Sequence, residues 1–120
     1  MIAGLGIDVC EIARIEKALE HPRFPLRAFT EGERARIDQR GAKTAAGLFA
    51  AKEAVAKALG SGFDGFGLQS VEIQWDEAGR PSCLLTGGAL EKLNALGGGR
   101  VFLSITHDAG VAAAVAVIEI

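Results

Sequence analysis

Three charged residues interrupt an otherwise apolar stretch of the sequence. The segment 48–59, LFAAKEAVAKAL, has nine apolar residues among its twelve, and the exceptions are Lys52, Glu53 and Lys57. A helix that is apolar nearly all round is buried, and buried charges are costly unless they are paired or bound to something. Glu53 and Lys57 are four residues apart, so they share one helix face with Phe49. They are candidates for binding a charged ligand, although the same spacing also fits an ordinary Glu–Lys helix pair.

Asp8 is the second candidate, because it stands where the first predicted strand meets the first predicted helix. An isolated Asp at such a junction also fits a helix cap. The preceding Gly4-Leu5-Gly6 is not a dinucleotide-binding fingerprint, since the third glycine of that motif would fall on Val9. Asp8 is therefore a candidate without a motif of its own.

Two further segments contain residue types that contact phosphates. Gly60-Ser61-Gly62 lacks the Lys-Ser/Thr of a P-loop, yet its backbone N–H groups suit a phosphate. His107 and Asp108 fall in a predicted tight turn between two apolar strands. A histidine in such a turn more often makes only local hydrogen bonds. Neither segment identifies a ligand by itself.

Hydrophobic spacing in the first half of the chain predicts one strand and three helices. Residues 1–7 read as a short buried strand, and residues 10–20 read as an amphipathic helix that Pro22 and Pro25 end. The capping-box spacing of Thr30 and Glu33 predicts the start of a second helix. A long helix over 44–59 is predicted to end at Gly60.

The second half is predicted to consist mostly of strands. Alternation predicts strands at 71–75 and 82–86 around a turn, and a helix follows at 88–96. Strands at 101–106 and 111–120 flank the segment 107–110 and form a hairpin. The predicted class is α+β, with helices packed on a small antiparallel sheet.

Length and charge exclude several classes of protein. The 120 residues fit a single domain over 1–120, and 13 basic against 15 acidic residues give a net charge of −2, which argues against a nucleic-acid binder. The longest apolar run has eight residues, too few for a membrane span. Cys10 and Cys83 form no metal-binding motif. We therefore expect a cytoplasmic protein. Its many small residues make a thin hydrophobic core, so we expect further apolar surface to be buried between subunits.

Together these segments resemble the holo-[acyl-carrier-protein] synthases, the short bacterial 4'-phosphopantetheinyl transferases. The resemblance spans nearly the whole chain, in the order and at the spacing of that family. The matching segments are GLGID at 4–8 with Glu11, Arg14 and Ile15, Phe29-Thr30 with Glu33, FAAKEA at 49–54, KALGSG at 57–62 and LSITHD at 103–108.

The resemblance implies a 4'-phosphopantetheinyl transferase-like fold and an enzyme. Such enzymes move the 4'-phosphopantetheine arm of coenzyme A to a serine of apo acyl carrier protein, with Mg2+, for fatty acid biosynthesis. By similarity, Asp8 and Glu53 are the metal ligands and Lys57 is the third catalytic residue. The base that takes the serine proton is Glu53 or a water held by Asp8 or Glu53. The resemblance also implies coenzyme A contacts for five further residues, which are Gly60, Ser61, Gly62, Thr106 and His107.

The resemblance also implies a docking surface and a homotrimer with active sites between subunits. Carrier proteins are typically acidic, so Arg14 and Arg23 are the candidate docking residues. The chain departs from the family at Leu48, where relatives usually carry Arg, and Lys43 is a possible substitute. Two other readings stay open. They are a non-catalytic coenzyme-binding module and an Mg2+-dependent phosphotransferase acting on a free nucleotide.

Overall fold

Five helices and five strands form the part of the chain that the computed structural model describes, residues 1–60 and 62–120. One short 3₁₀ helix, Leu68–Ser70, precedes the second strand. The strands are β1 (Ile2–Glu11), β2 (Val71–Trp75), β3 (Pro81–Leu85), β4 (Arg100–Asp108) and β5 (Val111–Glu119). The helices are α1 (Ile12–Ala18), α2 (Arg23–Ala28), α3 (Glu31–Arg40), α4 (Ala42–Ala58) and α5 (Gly87–Ala95). The α+β class is confirmed.

The main sheet is antiparallel, with the strand order β1-β5-β4. Asp8 pairs with Ala114, and Ala114 pairs with Ile105 on the other side. The prediction of a short buried first strand is wrong, because β1 continues to Glu11 and its Leu5 and Ile7 are more than 60 % exposed. The sequence pattern suggested that β1 is buried on both faces. The structure shows that the apolar side chains on one of its faces are exposed.

The β4–β5 hairpin is confirmed, but its turn is shorter than expected. Only Ala109 and Gly110 lie between the strands, and both have positive φ (51° and 80°), as a two-residue turn of the mirror-image type requires. His107 and Asp108 are consequently strand residues, and their prediction as turn residues is wrong. His107 pairs with Ala112 of β5, and Ala112 pairs on its other side with Cys10 of β1, so these three residues form one row across the sheet.

Helix α4 is the centre of the molecule and packs mainly on β1 and β5. It begins at Ala42, two residues before the predicted start, and Gly60 (φ 103°) follows its end as predicted. Gly4 and Gly6 of β1 face the helix so closely that a Cβ at either position would overlap a carbonyl oxygen, of Ala58 and Ala54 respectively. Because glycine has no side chain, the backbone of β1 can pack directly against α4 at these two positions.

The remaining helices frame one end of α4. Helix α1 is shorter than predicted, and α2 was not predicted at all, because Pro25 sits inside its first turn, where a proline is tolerated. The capping box at the start of α3 is confirmed: Thr30 Oγ1 accepts from the Glu33 N–H, and Glu33 Oε1 accepts from the Thr30 N–H at 2.8 Å.

The predicted 71–75 and 82–86 strands form a separate two-stranded sheet, β2–β3, so the molecule has two small sheets rather than one. Helix α5 matches the predicted 88–96 segment within one residue. Within the described ranges, no helix combines the length and the apolar character that crossing a membrane requires.

Candidate active site

Asp8 and Lys57 meet at the seam between β1 and α4. Lys57 Nζ lies 3.1 Å from Asp8 Oδ1 and donates a second hydrogen bond to the Ile7 carbonyl oxygen at 3.0 Å. The Asp8 side chain is 18 % exposed and that of Lys57 is 52 % exposed. The pair is therefore open to solvent on the Lys57 side, where a ligand can reach it.

Glu53 lies one turn before Lys57 on the same helix and shares this site. Partial burial raises the pKa of the Glu53 carboxyl above its ordinary value, the nearby Asp8 carboxylate raises it further, and Lys57 opposes the change. Two carboxylates close enough to repel each other form a site that a cation stabilises. Asp8 and Lys57 are thus in direct contact, Glu53 is one helical turn from Lys57, and the ion pair of Lys57 is with Asp8.

The third charge of the α4 segment, Lys52, points the other way and is completely buried. Its Nζ lies 2.7 Å from Glu33 Oε1 and donates to the carbonyl oxygens of Leu68 (2.9 Å) and Val71 (2.6 Å). Burial lowers the pKa of the Lys52 ammonium, and the Glu33 carboxylate works against that change. Glu33 Oε2 accepts from the Ile73 N–H at 2.8 Å. This pair, hereafter the Glu33–Lys52 pair, links α3 and β2 to α4. Lys52 is adjacent to Glu53 in the sequence.

A small cavity of about 120 Å³ lies under α1, beside the carboxylates. Burial raises the pKa of the Cys10 thiol, Asp8 raises it further, and Arg14 lowers it, which places these three groups in one neighbourhood. The thiol donates to the Ala46 carbonyl oxygen at 3.7 Å. The cavity is lined by Cys10, Arg14, Ile15, Ala18, Phe24 and Phe49. Arg14 is exposed above it, and Arg23, also exposed, begins α2.

His107 lies beside the first two turns of α4, whereas the Asp8–Lys57 contact is at its last turn. It is half-buried on the helix-facing side of β4, and its Nε2 lies 2.9 Å from the Lys43 carbonyl oxygen. His107 lies in the same row of the sheet as Cys10, which is two residues along β1 from Asp8, so His107 and Asp8 are farther apart than two strand spacings, about 10 Å. One chain alone does not bring His107 to the carboxylates.

His107 instead lines a second cavity of about 220 Å³, hereafter the β4 cavity. Its floor includes Leu48, which is fully buried, so the residue that departs from the family lies directly in this cavity. Among the described residues that line it, the side chains able to bind an anion are Arg36, Arg40, Thr44 and His107, and none is acidic. Sequence reasoning missed Arg36 and Arg40, because helical spacing alone does not tell which face of α3 meets a cavity. Lys43, the possible substitute for the missing Arg, has an exposed side chain, and its backbone carbonyl holds His107.

The other expected coenzyme contacts are scattered. Thr106 is on the opposite face of β4, in a shallow groove with Ile7 and Ala113. Gly60 and Gly62 both have positive φ (103° and 59°), and neither has another atom near the position of a Cβ. Ser61 lies outside the described residues.

The described residues form no cluster of three or more acidic, histidine or cysteine side chains of the kind that cages a metal. Asp8 and Glu53 therefore offer two hard oxygen ligands and leave the rest of a coordination shell to water or substrate. Mg2+ is commonly bound in this way, by one or two carboxylates, water and phosphate oxygens. The donor set fits Mg2+.

Comparison with known proteins identifies the family of the chain. Residues 4–114 match the model of the 4'-phosphopantetheinyl transferase superfamily. The holo-[acyl-carrier-protein] synthase of Solidesulfovibrio magneticus is 50 % identical, over 99 % of both chains. That of Clostridium botulinum is 48 % identical, over all of this chain and 99 % of its own. The chain belongs to the holo-[acyl-carrier-protein] synthase family.

Solved structures of this family have the same fold. The enzyme of Neisseria meningitidis superimposes with a TM-score of 0.89 at 34 % identity and covers 99 % of both chains. The Helicobacter pylori enzyme, solved in complex with coenzyme A, gives a TM-score of 0.85 at 32 % identity, over 96 % of this chain and 99 % of that one. The chain is thus an enzyme of the phosphopantetheinyl transferase class, with the fold that the resemblance implied.

Proposed function

We propose that this enzyme transfers the 4'-phosphopantetheine group of coenzyme A to a serine of apo acyl carrier protein, in support of fatty acid biosynthesis. Adenosine 3',5'-bisphosphate is the second product. The observation that carries the proposal is the meeting of Asp8, Glu53 and Lys57 at the β1–α4 seam. The coenzyme A complex of the Helicobacter pylori relative supports the choice of donor.

Asp8 and Glu53 are the residues that would hold Mg2+. When bound, the ion would neutralise charge on the diphosphate of coenzyme A and orient it. Burial, and in second place the Asp8 carboxylate, raises the pKa of the Glu53 carboxyl, and a bound cation would offset both effects, which supports this assignment. Lys57 contacts Asp8. Because the diphosphate would bind beside a metal ion held by Asp8, the Lys57 ammonium would lie close to its phosphate oxygens.

The residues supply proton transfer and charge neutralisation. The serine oxygen forms a bond to the phosphorus of the pantetheine-bearing phosphate, and the bond from that phosphorus to the bisphosphate oxygen breaks. The serine proton passes to Glu53 or to a water held by Asp8 or Glu53. The Lys57 ammonium is placed to neutralise charge on the departing oxygen.

Coenzyme A would reach both halves of the site only if two copies of the chain adjoin. The β4 cavity suits its nucleotide phosphates, yet His107 on the wall of that cavity lies two strands across the sheet and two residues along it from Asp8 of the same chain. The outer face of the main sheet supports such an assembly, because it is apolar and exposed. Its exposed members include Leu5, Ile7, Val9 and Phe102. We therefore propose a homotrimer in which His107 and Thr106 of one copy lie near the coenzyme bound at another.

The basic surface formed by Arg14 and Arg23 is the proposed dock for the acidic carrier protein. Both side chains are exposed, and Arg14 lies above the apolar cavity beside the carboxylates. A serine presented there would be close to Asp8 and Glu53. Arg14→Glu is expected to weaken carrier-protein binding more at low salt than at high salt, and an unchanged affinity would contradict this docking surface.

The test is the intact mass of an apo acyl carrier protein after incubation with the enzyme, coenzyme A and Mg2+. The expected gain is one phosphopantetheine, about 340 Da of added covalent mass, and EDTA should abolish it. Glu53→Gln should abolish it too, whereas Glu91→Gln, an exposed glutamate of α5, should not. Coenzyme A binding with no gain on any carrier protein would favour a binding module. Full transfer by Glu53→Gln at saturating Mg2+ would refute the metal assignment.

A further inference from the structure

Helix α2 presents two arginines and a leucine to solvent on one of its sides, hereafter the α2 face. Leu26 and Arg27 follow Arg23 by three and four residues, so the three side chains lie on the same side of the helix, and all are exposed. The α2 face adjoins Arg14, because Arg14 of α1 and Phe24 of α2 line the same cavity. It therefore extends the basic surface proposed for the acidic carrier protein.

Six residues are too few to keep this helix in place by themselves. An isolated helix needs about 12–15 residues to be even marginally stable in water. The first turn of α2 is held by Phe24, whose ring centre lies 5.7 Å from that of Phe29 and 6.0 Å from that of Phe49 on α4. The last turn needs a separate contact, because the final carbonyl groups of a helix have no partner within the helix.

Gln69, in the 3₁₀ helix that precedes β2, provides that contact. Its side-chain Nε2 donates to the carbonyl oxygen of Leu26 at 2.5 Å and to that of Phe29 at 3.1 Å, so both hydrogens of the amide are used at the end of α2. The Phe29 oxygen has a second donor, Arg34 Nη1, at 2.6 Å. In the described part of the chain, the Leu26 oxygen depends on Gln69 alone.

The short helix that contains Gln69 is itself fixed to α4. Lys52 of α4 donates to the carbonyl oxygens of Leu68 and Val71, which flank Gln69 in the sequence. Lys52 is completely buried, and Glu53 is the next residue of the same helix. Gln69 thus connects the end of α2 to the helix that carries one of the two candidate metal ligands.

We propose that Gln69 is a positioning residue that holds the α2 face in the orientation in which the acidic carrier protein binds it. The inference rests on the proposed function and adds to it a residue outside the catalytic set. A surface that is already ordered loses less entropy when its partner binds, so the affinity is higher. Arg23, Leu26 and Arg27 contact the carrier protein, and Gln69 acts through them.

The first test replaces Gln69 by methionine, which keeps the length of the side chain and removes its donors. Gln69→Met should raise the KM for apo acyl carrier protein about three- to tenfold, the effect of losing one hydrogen bond between uncharged groups. The kcat and the KM for coenzyme A should stay at their wild-type values. Gln74→Met is the matched control, because Gln74 is also exposed and donates to Glu72 within β2. A wild-type KM for the carrier protein, or an equal rise in both KM values, overturns the proposal.

A second test shows whether Gln69 acts through the α2 face. In the background Arg23→Ala/Arg27→Ala the face has lost both cations, so its orientation matters less, and Gln69→Met should raise the KM for the carrier protein by a smaller factor than in the wild type. A general loss of stability would act by the same factor in both backgrounds, because independent effects add in free energy. Equal factors overturn the proposal.

Hydrogen exchange tests the contact in the absence of carrier protein and coenzyme A. The amide hydrogens of residues 23–29 should exchange faster in Gln69→Met than in the wild type or in Gln74→Met, because the last turn of α2 has lost a support. Unchanged exchange there overturns the proposal. If the wild type neither modifies nor binds any carrier protein, the proposed function fails, and the exchange of residues 23–29 still decides whether Gln69 holds α2.

Discussion

Replacing Lys52 by methionine is expected to destabilise the protein by about 3–5 kcal/mol, the range for removing one partner of a buried ion pair. Lys52 and Glu33 are fully buried, so Lys52→Met leaves the Glu33 carboxylate with the N–H groups of Thr30 and Ile73 and no cation. The carbonyl oxygens of Leu68 and Val71 also lose their donor. A domain of this kind is stable by only about 5–15 kcal/mol, so the loss is a large fraction of the whole.

Urea unfolding at one fixed protein concentration is the assay, since the stability of an oligomer depends on concentration. The midpoint should fall while the slope with urea stays the same. Lys57→Met is the matched control, because Lys57 is on the same helix and also pairs with an acid, but it is half exposed. Exposed pairs contribute about 0–1 kcal/mol, so this control should unfold near the wild-type midpoint.

The double variant Glu33→Gln/Lys52→Met tests the cause of the loss. If an uncompensated buried charge is responsible, neutralising Glu33 should recover part of the stability that Lys52→Met loses. The reasoning is refuted if Lys52→Met and Lys57→Met lose the same stability. It is refuted equally if the double variant is no more stable than Lys52→Met.

Two further outcomes are expected. Gly6→Ala should cost about 1–3 kcal/mol, because its Cβ would overlap the Ala54 carbonyl oxygen. Gly67→Ala, which meets no atom within 4 Å, should change urea stability little, and equal effects would contradict the close packing of β1 on α4. Without Mg2+, Glu53→Gln should raise stability at pH 7, since a raised folded-state pKa makes ionised Glu53 unfavourable for folding. This gain should disappear below about pH 4, where Glu53 is protonated in both states, and no gain at pH 7 would contradict it.

Local signals in the sequence were sufficient for most of the elements. The capping box at Thr30, the glycine after α4 and the alternation at 71–75 each depend on residues close in sequence, and each is confirmed. The failures have long-range causes. The exposure of β1 was missed because half of its apolar residues face outward, where nothing in the described part of one chain covers them.

The candidate site was predictable only in part for the same reason. An apolar segment containing three charges indicated that those charges need partners, but the spacing fitted a Glu53–Lys57 pair as well as a ligand site. The observed partners are distant in sequence: Asp8 for Lys57 and Glu33 for Lys52. Arg36 and Trp75 likewise meet only after α3 and β2 are packed. The resemblance to a family identified Asp8, whereas periodicity alone did not.

The alternation of side chains along β1 limits where the chain can change length. Asp8 faces α4 while Ile7 and Val9 face the open side of the sheet, so one residue inserted or deleted between Gly4 and Asp8 would reverse both faces together. A bulky side chain would then meet α4 where only glycine fits, and the carboxylate would leave Lys57. The bulge between Ile2 and Gly4 lies outside this stretch. Insertions and deletions compatible with this enzyme are accordingly expected at that bulge or in exposed turns such as 76–80, and not within the part of β1 that carries Asp8.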